Sequence, residues 1–115
     1  MLIYKEELPV DTLDVREVCL PFSSAEKARE AVLKIDMQYN RPCMWYQTDY
    51  EKISFEEEKG KKFMIIAIGT GHDWEDKLAK DQYIGTALLF GDSLVLHYFL
   101  VDMDFFEKEN EVNAI

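Results

Sequence analysis

The residue types and spacing best suited to chemistry fall in one stretch, Gly69-Thr70-Gly71-His72-Asp73-Trp74, which follows the apolar run Phe63 to Ile68. A glycine-rich turn at the end of a buried strand exposes backbone N–H groups beside a hydroxyl and an imidazole. Such a nest suits an anion or a polar ligand; a turn of the same composition also serves simply to end a strand. The spacing fits neither a P-loop nor a dinucleotide-binding fingerprint. Thr70 and His72 form the one local pairing of a hydroxyl with a base, and no nucleophile elbow or oxyanion-hole signature accompanies them. The expectation is binding without bond breaking, and no residue is assigned a catalytic role.

His72, Asp73, Glu75 and Asp76 are metal-ligand types crowded into one loop, with no second histidine at a helical or strand spacing from His72. No metal and no cofactor are expected. The other histidine, His97, sits in an apolar run on the face of Val95, Phe99 and Val101. It reads either as a satisfied core histidine or as a functional one. Trp45, Tyr46, Tyr39, Trp74 and Tyr83 are the pool from which a stacking platform is drawn, unless they pack the core instead. The candidate ligand-binding set is Trp45, Gly69, Thr70, Gly71, His72, Trp74 and His97.

The elements that must position these residues read as mainly β. Leu2 to Leu8 and Val15 to Phe22 suit strands, and Ser23 with Glu26 resembles a capping box opening a short helix through Ala31. From Val32 to Gln38 the alternation sends Leu33, Ile35 and Met37 to one face. After a turn at Tyr39 to Pro42, the run Cys43 to Thr48 pairs back, with Met37 and Trp45 as expected core neighbours. Asp49 to Lys62 is the most polar stretch and reads as a solvated connection whose charges need no ligand. Phe63 to Ile68, apolar on both faces, reads as a central strand, and Asp73 can cap a helical turn with Trp74 and Leu78. Tyr83 to Phe90 and Leu94 to Val101 form a hairpin through Gly91-Asp92-Ser93. Two Ile-Gly-Thr triplets, at 68–70 and 84–86, are too short to be a repeat but suggest proximity in space, each glycine permitting a bulge or a close approach. The sum is a compact antiparallel β-sandwich or small barrel of about six or seven strands, α+β only in a minor sense, with one or two short helices. It spans 1–101 as one domain, followed by an acidic tail at 102–115 in which Phe105 and Phe106 want a surface to cover them.

Length and charge narrow the function classes. A chain of 115 residues, 48% hydrophobic, can bury roughly two thirds of its unfolded surface in one core. Its net charge of -10 disfavours direct nucleic-acid binding and would attract a basic protein surface. Cys19 and Cys43 lack metal spacing and read as buried thiols, and no apolar run suits a signal peptide or a membrane span, so the default compartment is cytoplasmic.

The order of motifs adds a resemblance. Ile3-Tyr4-Lys5, Leu20-Pro21, Pro42-Cys43-Met44-Trp45, Ile68-Gly69-Thr70-Gly71-His72, Tyr83-Ile84-Gly85-Thr86 and Leu94-Val95-Leu96-His97-Tyr98-Phe99 follow one another as in a family of small bacteriophage proteins of unknown function. The resemblance covers roughly residues 3 to 101; the chain departs from it in the helical segment at 25–30, the longer acidic linker at 51–62 and the tail. It implies a phage accessory protein made in the host bacterial cytoplasm, with the turn at 69–72, Trp45 and His97 as shared features. The leading expectation is an anti-defence binder that sequesters a small nucleotide-like immune signal, as a homo-oligomer with its pocket between subunits. The alternatives are an acidic nucleic-acid mimic that occupies a basic host defence nuclease or effector, and a virion or morphogenesis component.

Overall fold

Period-two alternation of apolar and polar side chains drives most of this chain into strands, because each strand can then bury one face and solvate the other. A computed structural model describes residues 1–55, 60–74 and 78–105. The strands are β1 (Leu2–Glu7), β2 (Val15–Leu20), β3 (Val32–Gln38), β4 (Arg41–Thr48), β5 (Lys61–Gly69), β6 (Tyr83–Leu89) and β7 (Leu94–Asp102), with helix α1 (Ala25–Ala31) between β2 and β3. They form two sheets of order β1-β4-β3 and β2-β5-β7-β6, every pairing antiparallel. Met44 and Tyr46 of the first sheet pack against Phe63, Ile65, Ala67, Leu96, Tyr98 and Leu100 of the second, with Ala25 and Ala28 of α1 in the same core. The expected mainly β sandwich is the architecture found.

β5 lies between β2 and β7, as its two apolar faces require. Its Phe63, Ile65 and Ala67 face the core, while Ile66 is buried on the opposite face. Tyr98 anchors the β1–β2 connection from inside: its hydroxyl donates to the Pro9 carbonyl at 2.7 Å, and burial pushes its phenol above the ordinary range. Leu13 N–H then donates to Ala67 O at 2.7 Å, and Ala67 N–H to Asp14 O at 2.9 Å. These bonds lay residues 9–14 along the end of β5.

Several local expectations are corrected. The helix cap is Ser24 rather than Ser23; its hydroxyl accepts the Lys27 N–H at 3.2 Å. A bulge between Val32 and Lys34 turns Leu33 outward, leaving it 50% exposed, so that only Ile35 and Met37 of the expected trio pack against the core. Tyr39 and Asn40 both adopt positive φ, so a two-residue loop closes the β3–β4 hairpin and Arg41 and Pro42 already belong to β4. Trp45 is no core neighbour of Met37, since Met44 and Tyr46 on either side of it point inward. Within the polar stretch at 49–62, a helical turn over Lys52–Ser54 delivers Phe55 to full burial beside the Tyr4 ring. Cys43 is buried as expected, but Cys19 only half so. Phe90 belongs to the β6–β7 turn, and Phe105 is half-buried instead of exposed. The expected helical turn after Asp73 crosses 75–77, and the tail beyond 105, Phe106 included, likewise lies outside the described residues.

Candidate functional site

β7 is an interior strand, and its outer face carries His97 between the two neighbours that bear the Ile-Gly-Thr triplets. In register, His97 stands opposite Ile68 on β5 and Thr86 on β6. Thr70, just past the end of β5, bonds His97 Nε2 through Oγ1 at 2.7 Å, and Thr86 Oγ1 bonds His97 Nδ1 at 2.9 Å. Tyr83 OH closes the series on Thr86 Oγ1. The two triplets therefore meet through the histidine between them, each supplying one threonine.

A bulge makes this chain feasible. Residues three apart on a regular strand point to opposite faces, yet Tyr83 pairs with Phe99 and Thr86 with His97, three residues against two. The extra residue brings Tyr83 and Thr86 onto one face. Gly85 sits at the bulge with φ +152, and a Cβ there would lie 2.9 Å from Ile35 Cδ1 of the facing sheet. Only glycine combines that backbone with that approach.

The second histidine is held from the other side. Thr12 Oγ1 accepts the Gly69 N–H at 2.8 Å and bonds His72 Nδ1 at 2.7 Å. A Cβ on Gly69 would come within 3.0 Å of Thr12 Oγ1 and 3.1 Å of His72 Nδ1, so glycine makes room for this pair. Where Thr12 donates to Nδ1, the exposed ring presents Nε2–H to solvent; where Nδ1–H donates to Thr12, Nε2 is left as an acceptor.

The expected nest of backbone amides is largely engaged within the protein. Gly69 N–H goes to Thr12, Thr70 N–H to Val95 O at 3.3 Å, and His72 N–H to Gly69 O at 3.0 Å. Gly71 N–H is the amide of this turn with no partner among the described residues. Beside it opens a recess of about 370 Å³ lined by Ile68, Thr70, His72, Trp74, His97 and Phe99; Asp73 is the one carboxylate on its wall among the described residues.

The expected ligand-binding set is thus brought together except for Trp45, which lies on the outer face of the other sheet beside a separate recess with Ile3 and Leu33. The expected Thr70–His72 pair is exchanged for Thr70–His97 and Thr12–His72. His97 is half-buried on the outer face, on the expected side of its strand and outside the core, and both its ring nitrogens are engaged. Thr12, Thr86 and Phe99 were missed. The duplicated triplet was the available signal for Thr86; nothing near Thr12 in the sequence points to a partner 60 residues away.

A hydroxyl, an imidazole and a second hydroxyl in series resemble a nucleophile with its base and orienting group. The orienting group here is the neutral Thr86 hydroxyl, which gives an imidazolium no counter-charge, and Gly71 offers a single amide to an oxyanion. The arrangement suits hydrogen bonding better than proton abstraction. Among the described residues, no three His, Cys, Asp or Glu side chains group to hold a metal ion, and no helix is long and apolar enough to cross a membrane.

The chain belongs to a domain family of unknown function, DUF7352, whose model it matches over residues 1–105. A search of curated proteins gave no match. A search of solved structures also gave none.

Proposed function

We propose that this member of the DUF7352 family is a phage accessory protein that holds a small nucleotide-like signal of host immunity in the recess beside β7 and breaks no bond in it. The observation that carries the reading is convergence. Residues 70, 72, 74, 97 and 99, drawn from two parts of the chain, line one recess. Its volume of about 370 Å³ falls within the range of small-molecule sites, about 300–1,000 Å³. Trp74 and Phe99 supply flat apolar surface, while Gly71 N–H, the His72 ring and the Thr70 hydroxyl supply convergent polar groups. Phage origin rests on the motif order described above, and the immune role on the habit of small phage proteins to act against host defences.

Native mass spectrometry of the protein purified from bacteria with active signalling defences tests this reading, beside the His72→Ala variant. The expected result is a co-purifying mass of nucleotide size that the variant loses. A clean apo mass under those conditions would contradict it and favour the acidic-surface inhibitor, whose grip on a basic host protein should weaken steeply with salt.

A further inference from the structure

We propose that the recess recognises the uncharged part of its ligand, a nucleoside-type heteroaromatic ring with an amide or amino edge, and excludes phosphate. This inference rests on the small-ligand reading above. It follows from charge, from the hydrogen-bonding capacity left on the recess wall, and from size.

No lysine or arginine among the described residues lines the recess, the Asp73 carboxylate does, and the chain as a whole carries -10. A phosphate would enter against that field with little compensation, because three of the four amides of the turn at 69–72 are engaged within the protein and Gly71 N–H is the one left among them. A recess of about 460 Å³ elsewhere differs: it lies between α1 and the end of β4, and Lys27 lines it. A nucleotide drawn by its phosphates has a cation to meet there and none among the described residues here.

The polar capacity that remains suits a ligand with mixed donors and acceptors. A hydroxyl donates one hydrogen bond and accepts two, and neutral imidazole donates from one nitrogen while accepting at the other. In one direction Thr70 donates to His97 Nε2, and His97 Nδ1–H donates to Thr86; the Thr70 oxygen then accepts from a ligand. In the other, Tyr83 donates to Thr86, Thr86 to Nδ1, and Nε2–H to Thr70, whose proton turns to the ligand. Every member stays satisfied either way. Thr70 can therefore meet a donor or an acceptor beside the fixed Gly71 donor, as an amide-type edge requires. A recess of about 370 Å³, at the small end of ligand sites, holds one base with its sugar more readily than a dinucleotide.

NMR titration of ¹⁵N-labelled protein with adenosine, inosine, AMP and ATP tests the proposal. The better nucleoside should move the Thr70, Gly71 and His72 amide signals and bind at least about tenfold tighter than ATP, the equivalent of one hydrogen-bond-sized difference. Thr70→Val should weaken it by about tenfold and Thr70→Ser restore it, while Thr86→Val, away from the ligand, should cost only about two- to threefold. Binding of AMP or ATP at those same signals, tighter than either nucleoside, would overturn the proposal and leave the small-ligand reading standing. Signals unmoved by all four probes would overturn both.

Discussion

Trp45 and His97 occupy matching places on the two outer faces of the sandwich. Each is a planar side chain on an interior strand, with Trp45 between Lys5 of β1 and Lys34 of β3, and His97 between Ile68 of β5 and Thr86 of β6. Around Trp45 the polar contacts are made by long, exposed side chains: Lys5 to Gln38 at 2.6 Å and Lys34 to Asp36 at 3.1 Å. Each stands alone and competes with water. Around His97 the partners are short hydroxyls joined in series, so removing one leaves its neighbours seeking another bond. The lesson is that side-chain type matters less than coupling: the same placement yields a solvated face in one sheet and an interlocked recess in the other.

The sharpest way to break that comparison is to remove its two centres of polarity. His97→Ala should cost about 1–2 kcal/mol in urea unfolding, since it strands the half-buried Thr86 hydroxyl and takes a partner from the exposed Thr70, whereas Lys5→Ala should stay within about 0.5 kcal/mol of the parent. Equal losses would erase the distinction between the faces. A double-mutant cycle sharpens it. Thr70→Val and Thr86→Val should each cost about 1 kcal/mol and couple by at least about 0.5 kcal/mol, while Lys5→Ala and Lys34→Ala should simply add.

Alkaline titration gives a smaller effect from beneath the solvated face. Burial pushes the Cys43 thiol up, so the unfolded chain releases that proton first. The contribution is intact below the ordinary thiol value of about 8.5 and is lost as pH rises above it. Tyr98, also raised by burial, adds a loss of the same sign from about pH 10. Urea midpoints should fall through this window, with a later onset in Cys43→Ala. The smallest effect belongs to Asp36. The Met37 N–H first, and then Lys34, hold its carboxyl below the usual range, so its stabilisation is present at neutral pH and lost as pH falls through the ordinary carboxylate range. Because the group is fully exposed, Asp36→Asn should leave the melting temperature at pH 7 and high salt unchanged within error.

What was legible in the sequence was whatever local pattern decides. The β6–β7 hairpin and the central β5 declared themselves through apolar runs bounded by glycine. Leu33 was misread because a bulge breaks the alternation without changing residue types, and Phe55 was overlooked as a lone ring in a charged stretch. At the site, the turn at 69–72 and His97 were visible as residue types, but their partners were not. Thr70 shares a turn with His72 and yet bonds His97, because the register of β7 decides which imidazole it meets. Thr12 reaches His72 only because Tyr98 and Ala67 hold the loop at 9–14 against β5. Trp45 was grouped with the site by chemistry and separated from it by sheet topology.

The central claim is that His97 ties the two Ile-Gly-Thr threonines into one chain, and long-range ¹H–¹⁵N spectra of the imidazole test it most directly. The predicted result is that both His97 ring nitrogens carry hydrogen-bonded shifts, and that Thr86→Val, which touches Nδ1 alone, also moves the Nε2 signal that faces Thr70. Ring nitrogens resembling those of a solvated imidazole, or an Nε2 signal indifferent to Thr86→Val, would contradict it.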